Sequence, residues 1–171
     1  MNIVLRQAQL EDREILANLL EKYNYEFSQY TGRDVNKLGL YGYGYLDYYW
    51  TAENRWAYFI EVDDKLAGFV MINDYPEAED RPTDFVVSEF FVMYKYRRNG
   101  IGKRAFSMAA DLHRGTWQLK RHPKNLPAVH FWDSAVAEYT KGDFELIKAY
   151  PGTEYEDGSL ADLFFFDNSN K

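Results

Sequence analysis

The run Phe90-Phe91-Val92-Met93-Tyr94-Lys95-Tyr96-Arg97-Arg98-Asn99-Gly100-Ile101-Gly102 decides how this chain is read. Phe85 to Met93, dense in Phe and Val, has the length and composition of a central β-strand. It runs into a basic loop that ends on Gly100 and Gly102. Beyond the loop, Ile101, Ala105, Met108, Ala109 and Leu112 recur at helical spacing and predict one buried face. Glycine lets the backbone approach a ligand closely and adopt positive φ. The unpaired N–H groups of a helix's first turn, with the helix dipole, attract an anion. Arg97, Arg98, Lys103 and Arg104 surround that point with positive charge. A basic first turn opposes the dipole, so stability alone does not favour it. In a chain of net charge −7 this local reversal of sign points to phosphate in a small ligand, not in a polymer. The run is neither a P-loop, since no Gly-Lys-Ser or Gly-Lys-Thr follows, nor a dinucleotide fingerprint, which needs a third glycine and an early βαβ unit.

Working outward, Ile3 and Leu5 predict a first strand, and Ile15, Leu16, Leu19, Leu20, Tyr23 and Phe27 a helix with Glu11 and Asp12 at its start. Residues 30 to 55, rich in Gly and Tyr, read as a loop plus a short helix. Tyr58 to Val62 and Leu66 to Ile72, joined by Asp63-Asp64-Lys65, make a hairpin. After the central strand and its helix come a short strand around Trp117 and Leu119 and a helix capped by Asn125, with Pro127 in its first turn. Ala128, Phe131, Trp132, Ala135 and Tyr139 form that helix's inner face. Phe144 to Tyr150 and Leu160 to Phe166 complete the strands. The order β-α-(α)-β-β-β-α-β-α-β-β specifies a single α/β domain over residues 1–171. Its mixed, mostly antiparallel sheet of about seven strands is flanked by about four helices. It is not doubly wound, because three consecutive strands lack helices between them.

Composition excludes several classes. There is no cysteine, hence no disulfide, thiolate metal site or cysteine nucleophile. The acidic balance argues against nucleic acid as a partner. No stretch approaches the roughly 18 to 20 apolar residues of a membrane span, and Met1 to Leu10 is no secretory signal. A cytoplasmic protein with no membrane partner is expected. His113, His122 and His130 lack metal-ligand spacing, read as surface or capping residues, and no metal is expected. Asp157-Gly158-Ser159 reads as a turn.

Phe90-Phe91-Val92 followed by Tyr96-Arg97-Arg98-Asn99-Gly100-Ile101-Gly102 resembles the acetyl-CoA motif of the GCN5-related N-acetyltransferases (GNAT), an apolar strand end and then Arg/Gln-x-x-Gly-x-Gly/Ala. Asn125, Ala128, Phe131 and Trp132 resemble that family's later Asn-x-x-Ala-x-x-Phe-Tyr segment, and the element order is similar throughout. The resemblance implies acetyl-CoA as cosubstrate. The loop amides around Arg97, Arg98, Asn99, Gly100, Ile101, Gly102 and Lys103 would hold its pyrophosphate. The backbone of Phe91, Val92 and Met93 would pair with the pantetheine arm as an added strand. Asn125 would reach the pantetheine or phosphate region.

Acetyl transfer from a thioester to an amine needs a base for the amine, stabilisation of the oxyanion, and departure of the thiolate. Glu89, amid Phe85, Phe90 and Phe91, is the candidate base, acting through water in enzymes this chain resembles; the alternative is a structurally paired Glu. Trp132 stands where many members place a tyrosine acid, and an indole cannot practically supply a proton. Either Trp132 walls the CoA thiol, or the thiolate leaves unassisted, or a hydroxyl such as Tyr139 or Ser134 helps.

Tyr41, Tyr43 and Tyr45, with Tyr48-Tyr49-Trp50, occupy the family's variable, substrate-facing region. With Asp47 and Glu53 they suit a cationic amine by cation–π contact and charge pairing, or else form core or a homodimer interface. The sequence therefore points to an acetyl-CoA-dependent N-acetyltransferase acting on a small, cationic primary amine. A peptide or protein N-acetyltransferase and a non-catalytic acyl-CoA-binding or sensing module are the alternatives.

Overall fold

Two strands that begin side by side and then part organise this molecule. The computed structural model describes residues 1–171. Its sheet runs β1 (Ile3–Gln7), β2 (Arg55–Val62), β3 (Lys65–Asn73), β4 (Phe85–Val92), β5 (Thr116–Arg121), β7 (Asp162–Asp167) and β6 (Glu145–Ile147) in spatial order. Every neighbouring pair is antiparallel except β4 and β5. Those two are parallel and pair only over Phe85–Val87 against Trp117–Leu119. From Ser88 onward β4 leaves β5, and a wedge opens in the middle of the sheet.

Helices cover both faces. On one, α1 (Arg13–Thr31) buries Leu16, Leu19 and Leu20 against Phe59, Phe69, Met71 and Phe91, and the short α2 (Tyr48–Thr51) adds Tyr49. On the other, α3 (Ile101–Leu112) and α4 (Leu126–Thr140) pack Phe106, Trp132, Val136 and Tyr139 onto Ile60, Val70, Trp117 and Phe164. No helix is long and apolar enough to cross a membrane.

The element order matches the expectation, with local differences. The β2–β3 turn is two residues, Asp63 at φ 48° and Asp64 at φ 61°. Both are left-handed, as a tight type I′ hairpin requires, and Asp tolerates that region. On α3 the inward stripe is Ile101, Ala105, Phe106, Ala109 and Ala110, whereas Leu112 is 58% exposed. Phe106 supplies the large core side chain that the spacing assigned to Leu112. The last hairpin is shorter than expected, because Ala149 at φ 51° breaks β6 after Ile147.

Gly68 is where β3 meets the strand that carries the site. A Cβ there would lie 1.9 Å from the Phe91 carbonyl oxygen. Backbone cannot yield as a side-chain tip can, so Gly68→Ala is expected to destabilise the fold by about 3 kcal/mol. The midpoint of denaturant unfolding measures it, and a midpoint equal to the parent's would contradict this packing.

Candidate active site

The alternation of a strand backbone decides which groups of β4 face the wedge. The Met93 N–H donates to the Ala67 carbonyl at 2.8 Å, and Phe69 pairs with Phe91. Main-chain groups of Phe91 and Met93 therefore point toward β3, and those of Phe90 and Val92 toward the opening. This corrects the expected trio: only Val92 of the three offers its backbone to an added strand, and Phe90 joins it. The Val92 carbonyl already accepts from Arg97 Nε at 2.6 Å. Side chains alternate too. Glu89 and Phe91 lie on the α1 face; Phe90 and Val92 lie on the α3–α4 face.

The loop after β4 is built for backbone donors. Arg98 at φ 64° and Gly100 at φ 73° turn the chain into α3, whose first turn has no side-chain cap. The amides of Ile101, Gly102 and Lys103 thus have no acceptor within the helix and face outward with the dipole. Ile101's side chain is core, so only its amide is on offer. A Cβ at Gly102 would lie 2.9 Å from the Phe131 ring.

Half the expected positive charge is spent on ion pairs. Arg97 holds Glu26 of α1 with both terminal nitrogens, each at 2.7 Å, and stacks on the Tyr94 ring. Lys103 pairs with Glu138 at 2.8 Å. Arg98, beside the exposed Asn99, and Arg104 have no carboxylate partner and remain for an anion.

A cleft of about 1210 Å³ runs from this loop through the wedge. Its floor and walls include Phe90, Phe131 and Trp132 on one layer and Tyr23 and Phe27 on the other. Asn125 stands at its rim, capping α4 by accepting the Ala128 N–H at 3.2 Å. Trp132 is 6% exposed, edge-on to Phe90 and Phe106, so it is a packed wall. Amide donors and the free Arg98 at one end, with Arg104 in the adjoining groove between α3 and α4 and an apolar channel beyond, fit a phosphate-bearing ligand with a long, thin arm. Tyr139, named as a possible acid, is elsewhere: its hydroxyl donates to Asp111 at 2.9 Å and accepts from Asn168 at 3.0 Å. Ser134 is exposed on the cleft's rim.

On the α1 face the wedge holds Glu89. Ser88 is the unpaired residue of a β-bulge, since Met71 opposes Glu89 while Ile72 opposes Val87. The Ser88 hydroxyl meets that of Tyr49 at 2.7 Å, and the Tyr43 hydroxyl donates to Glu89 Oε1 at 3.4 Å. Burial pushes the Glu89 carboxyl up to about 7, against the Tyr23 hydroxyl, the Lys120 ammonium and the Tyr43 hydroxyl, which favour the carboxylate. Lys120 is itself paired with Glu77 at 3.1 Å.

Of the three tyrosines expected at a substrate pocket, only Tyr43 reaches Glu89. Tyr41 donates to Ser28, and Tyr45 is 61% exposed beside Tyr48. Asp47, expected to attract a cation, is held by Arg13 at 2.6 Å. His130 is exposed as expected, but the other two histidines are buried. His113 is buried and bonded to the Tyr58 hydroxyl at 2.8 Å. His122 is buried between α1 and the turn at Asp157. There the Asp157 carboxylate meets His122, Lys124 and Ser159, an anchor where a bare turn was expected. No three His, Asp or Glu side chains gather as a metal site.

Sequence reasoning missed Tyr23, Glu26, Glu77 and Lys120. Tyr23 had a signal, its place on the inner helical stripe, but that signal says buried and nothing of chemistry. The others come together only through the sheet.

The sequence profile of the acetyltransferase (GNAT) family matches residues 16–135. No curated protein matches the chain. The fold is similar to an acetyltransferase from Thermus thermophilus, with TM-score 0.65 and 17% identity over 98% of this chain and 97% of that one. It is similar to spermidine N-acetyltransferase from Vibrio cholerae in complex with CoA and spermine, with TM-score 0.63 and 15% identity over 98% and 96%. AAC(6')-Ib in complex with ribostamycin and coenzyme A aligns with TM-score 0.65 and 13% identity over 95% and 93%. At these identities the likeness is one of fold.

Proposed function

This chain belongs to the GNAT acetyltransferase family, and from that premise we propose that it transfers the acetyl group of acetyl-CoA to a primary amine of a small, cationic molecule. One observation carries the reading. Adjacent residues of β4 face different compartments: Phe90 lines the cleft that suits a CoA arm, and Glu89 sits on the α1 face with a carboxyl that changes charge near neutral pH. A base poised near the working pH, next to the thioester's expected position, is what amine acetylation requires.

In this reading the amides of Ile101, Gly102 and Lys103, with Arg98 and Arg104, hold the pyrophosphate. Asn99 and Asn125 border it, Phe90 and Val92 line the pantetheine, and Trp132 walls the thiol. The amine enters from the α1 face beside Tyr43 and gives its proton to Glu89. The net charge of −7 favours the approach of a cationic molecule. Structural neighbours solved with spermine and with ribostamycin support polycationic amines as the class to try first.

Acetyl-CoA at about 100 times its Kd should stabilise the fold by ~2.7 kcal/mol. CoA thiol release should then be stimulated by a polyamine or an aminoglycoside more than by a peptide amine. Stimulation by peptides alone moves the acceptor class to protein N-termini. A thermal shift with no amine-stimulated release would make the domain an acyl-CoA-binding module, and no thermal shift would overturn both readings.

A further inference from the structure

We propose that Tyr23 is the proton donor to the departing CoA thiolate, refilled by Glu89. This rests on the acetyltransferase reading above. Trp132 holds the place on α4 where a hydroxyl would otherwise meet the sulfur, and an indole N–H does not supply a proton. The structure offers few substitutes. Tyr139 is tied to Asp111 and Asn168, Tyr49 to Ser88, and Tyr41 to Ser28.

Tyr23 differs from all of these. It projects from the middle of α1 into the wedge and lines the same cleft as Phe90, Phe91 and Trp132. Its ring is fixed edge-on to Phe69 and Phe91 at 5.8 and 6.0 Å and stacked on Phe27. Its side chain lies on the same face of the wedge as Glu89, the group expected to take the amine's proton, and each of the two groups shifts the other's proton affinity. Tyr43, which bonds Glu89, does not line the cleft; Tyr23, on the same face of the sheet as Glu89, does.

The proton count closes. The free amine's nitrogen bonds to the acetyl carbon, the carbon–sulfur bond breaks, and its electron pair stays on sulfur. One proton must move from nitrogen to sulfur. Glu89 takes it from nitrogen, Tyr23 gives its own to sulfur, and Glu89 returns one to Tyr23. Burial raises the proton affinity of the Tyr23 hydroxyl well above its ordinary value, so a free tyrosinate is disfavoured and the transfers run together. The relay ends on a neutral thiol and leaves Glu89 ionised for the next turnover.

The test is Tyr23→Phe beside a protein carrying 3-fluorotyrosine at position 23, both assayed with acetyl-CoA and the best amine found. The phenylalanine variant is expected to lose about 10²-fold in kcat. Its KM for acetyl-CoA and its thermal shift with acetyl-CoA should match the parent's, and the fluorotyrosine protein should stay active. Parental kcat in Tyr23→Phe would overturn the relay, and so would a fall in kcat matched by lost acetyl-CoA binding, which marks packing instead. An inactive fluorotyrosine protein would overturn it as well. A parent protein that no amine stimulates would instead overturn the acetyltransferase reading itself.

Discussion

Glu89→Gln is expected to cut kcat by at least about 10²-fold and, at pH 8, to make the protein more stable than the parent. The two effects share one cause. The folded carboxyl holds its proton up to about 7, whereas its ordinary value is 4.5. Between those values the folded state binds more proton than the unfolded one, so stability falls as pH rises through the window. Above it the parent carries an ionised carboxylate among Phe and Tyr side chains. Glutamine keeps the shape and cannot ionise, which should raise stability at pH 8 by on the order of 1–3 kcal/mol. Below pH 4.5 both forms are neutral and the gain should vanish. In the parent, kcat should rise with pH through about 7 as Glu89 becomes a base. Unfolding midpoints at pH 5 and pH 8, beside a pH–rate profile, check both halves. Undiminished kcat in the variant would remove Glu89 from the chemistry, and a stability gain that ignores pH would remove its buried charge.

Gly102→Val should weaken acetyl-CoA binding about 10²-fold while leaving a folded protein. Its Cβ would lie 2.9 Å from Phe131, whose ring stacks on Phe90 at 5.4 Å inside the cleft. The ring must move into the cleft proposed to take the pantetheine, or α3 must move and misalign its first-turn amides. Either way the loss of affinity should reach ~2.7 kcal/mol, about 10²-fold in Kd. Overpacking should cost the fold only about 1–3 kcal/mol. Gly102→Ala, with the same contact and less bulk, should fall between. Thermal shift against acetyl-CoA concentration reads both quantities, and an unchanged Kd in the valine variant would place the ligand elsewhere. Gly100 stands in contrast: it has open space in front of it, and only its φ of 73° asks for glycine.

Much of the fold was legible because its signals are local. Helical stripes such as Leu16, Leu19 and Leu20 need only neighbours a turn away, and the Asp63-Asp64 turn joins adjacent strands. The Arg97-to-Gly102 loop was legible for the same reason, since strand, glycines and helix start lie within one short run. Where the local pattern was ambiguous it misled. Phe106 and Leu112 are six positions apart on α3, and only the sheet beneath decides that the first is buried and the second exposed.

The candidate site divides along that line. The chain by itself determined the element order, the basic loop that ends on Gly100 and Gly102, Glu89 on the central strand and Trp132 in place of a tyrosine. Only the tertiary structure decided that Arg97 is spent on Glu26, 71 positions away, and that Lys103 is spent on Glu138. It alone turned Val92 and Phe90, not Met93, to the wedge, brought Tyr43 to Glu89 and Tyr23 into the cleft, and sent Tyr41 and Tyr45 elsewhere. The reason is physical: periodicity and turn chemistry act over a few residues and can be read along the chain. A buried carboxyl's proton affinity and an arginine's partner depend on groups that meet only when distant strands and helices pack.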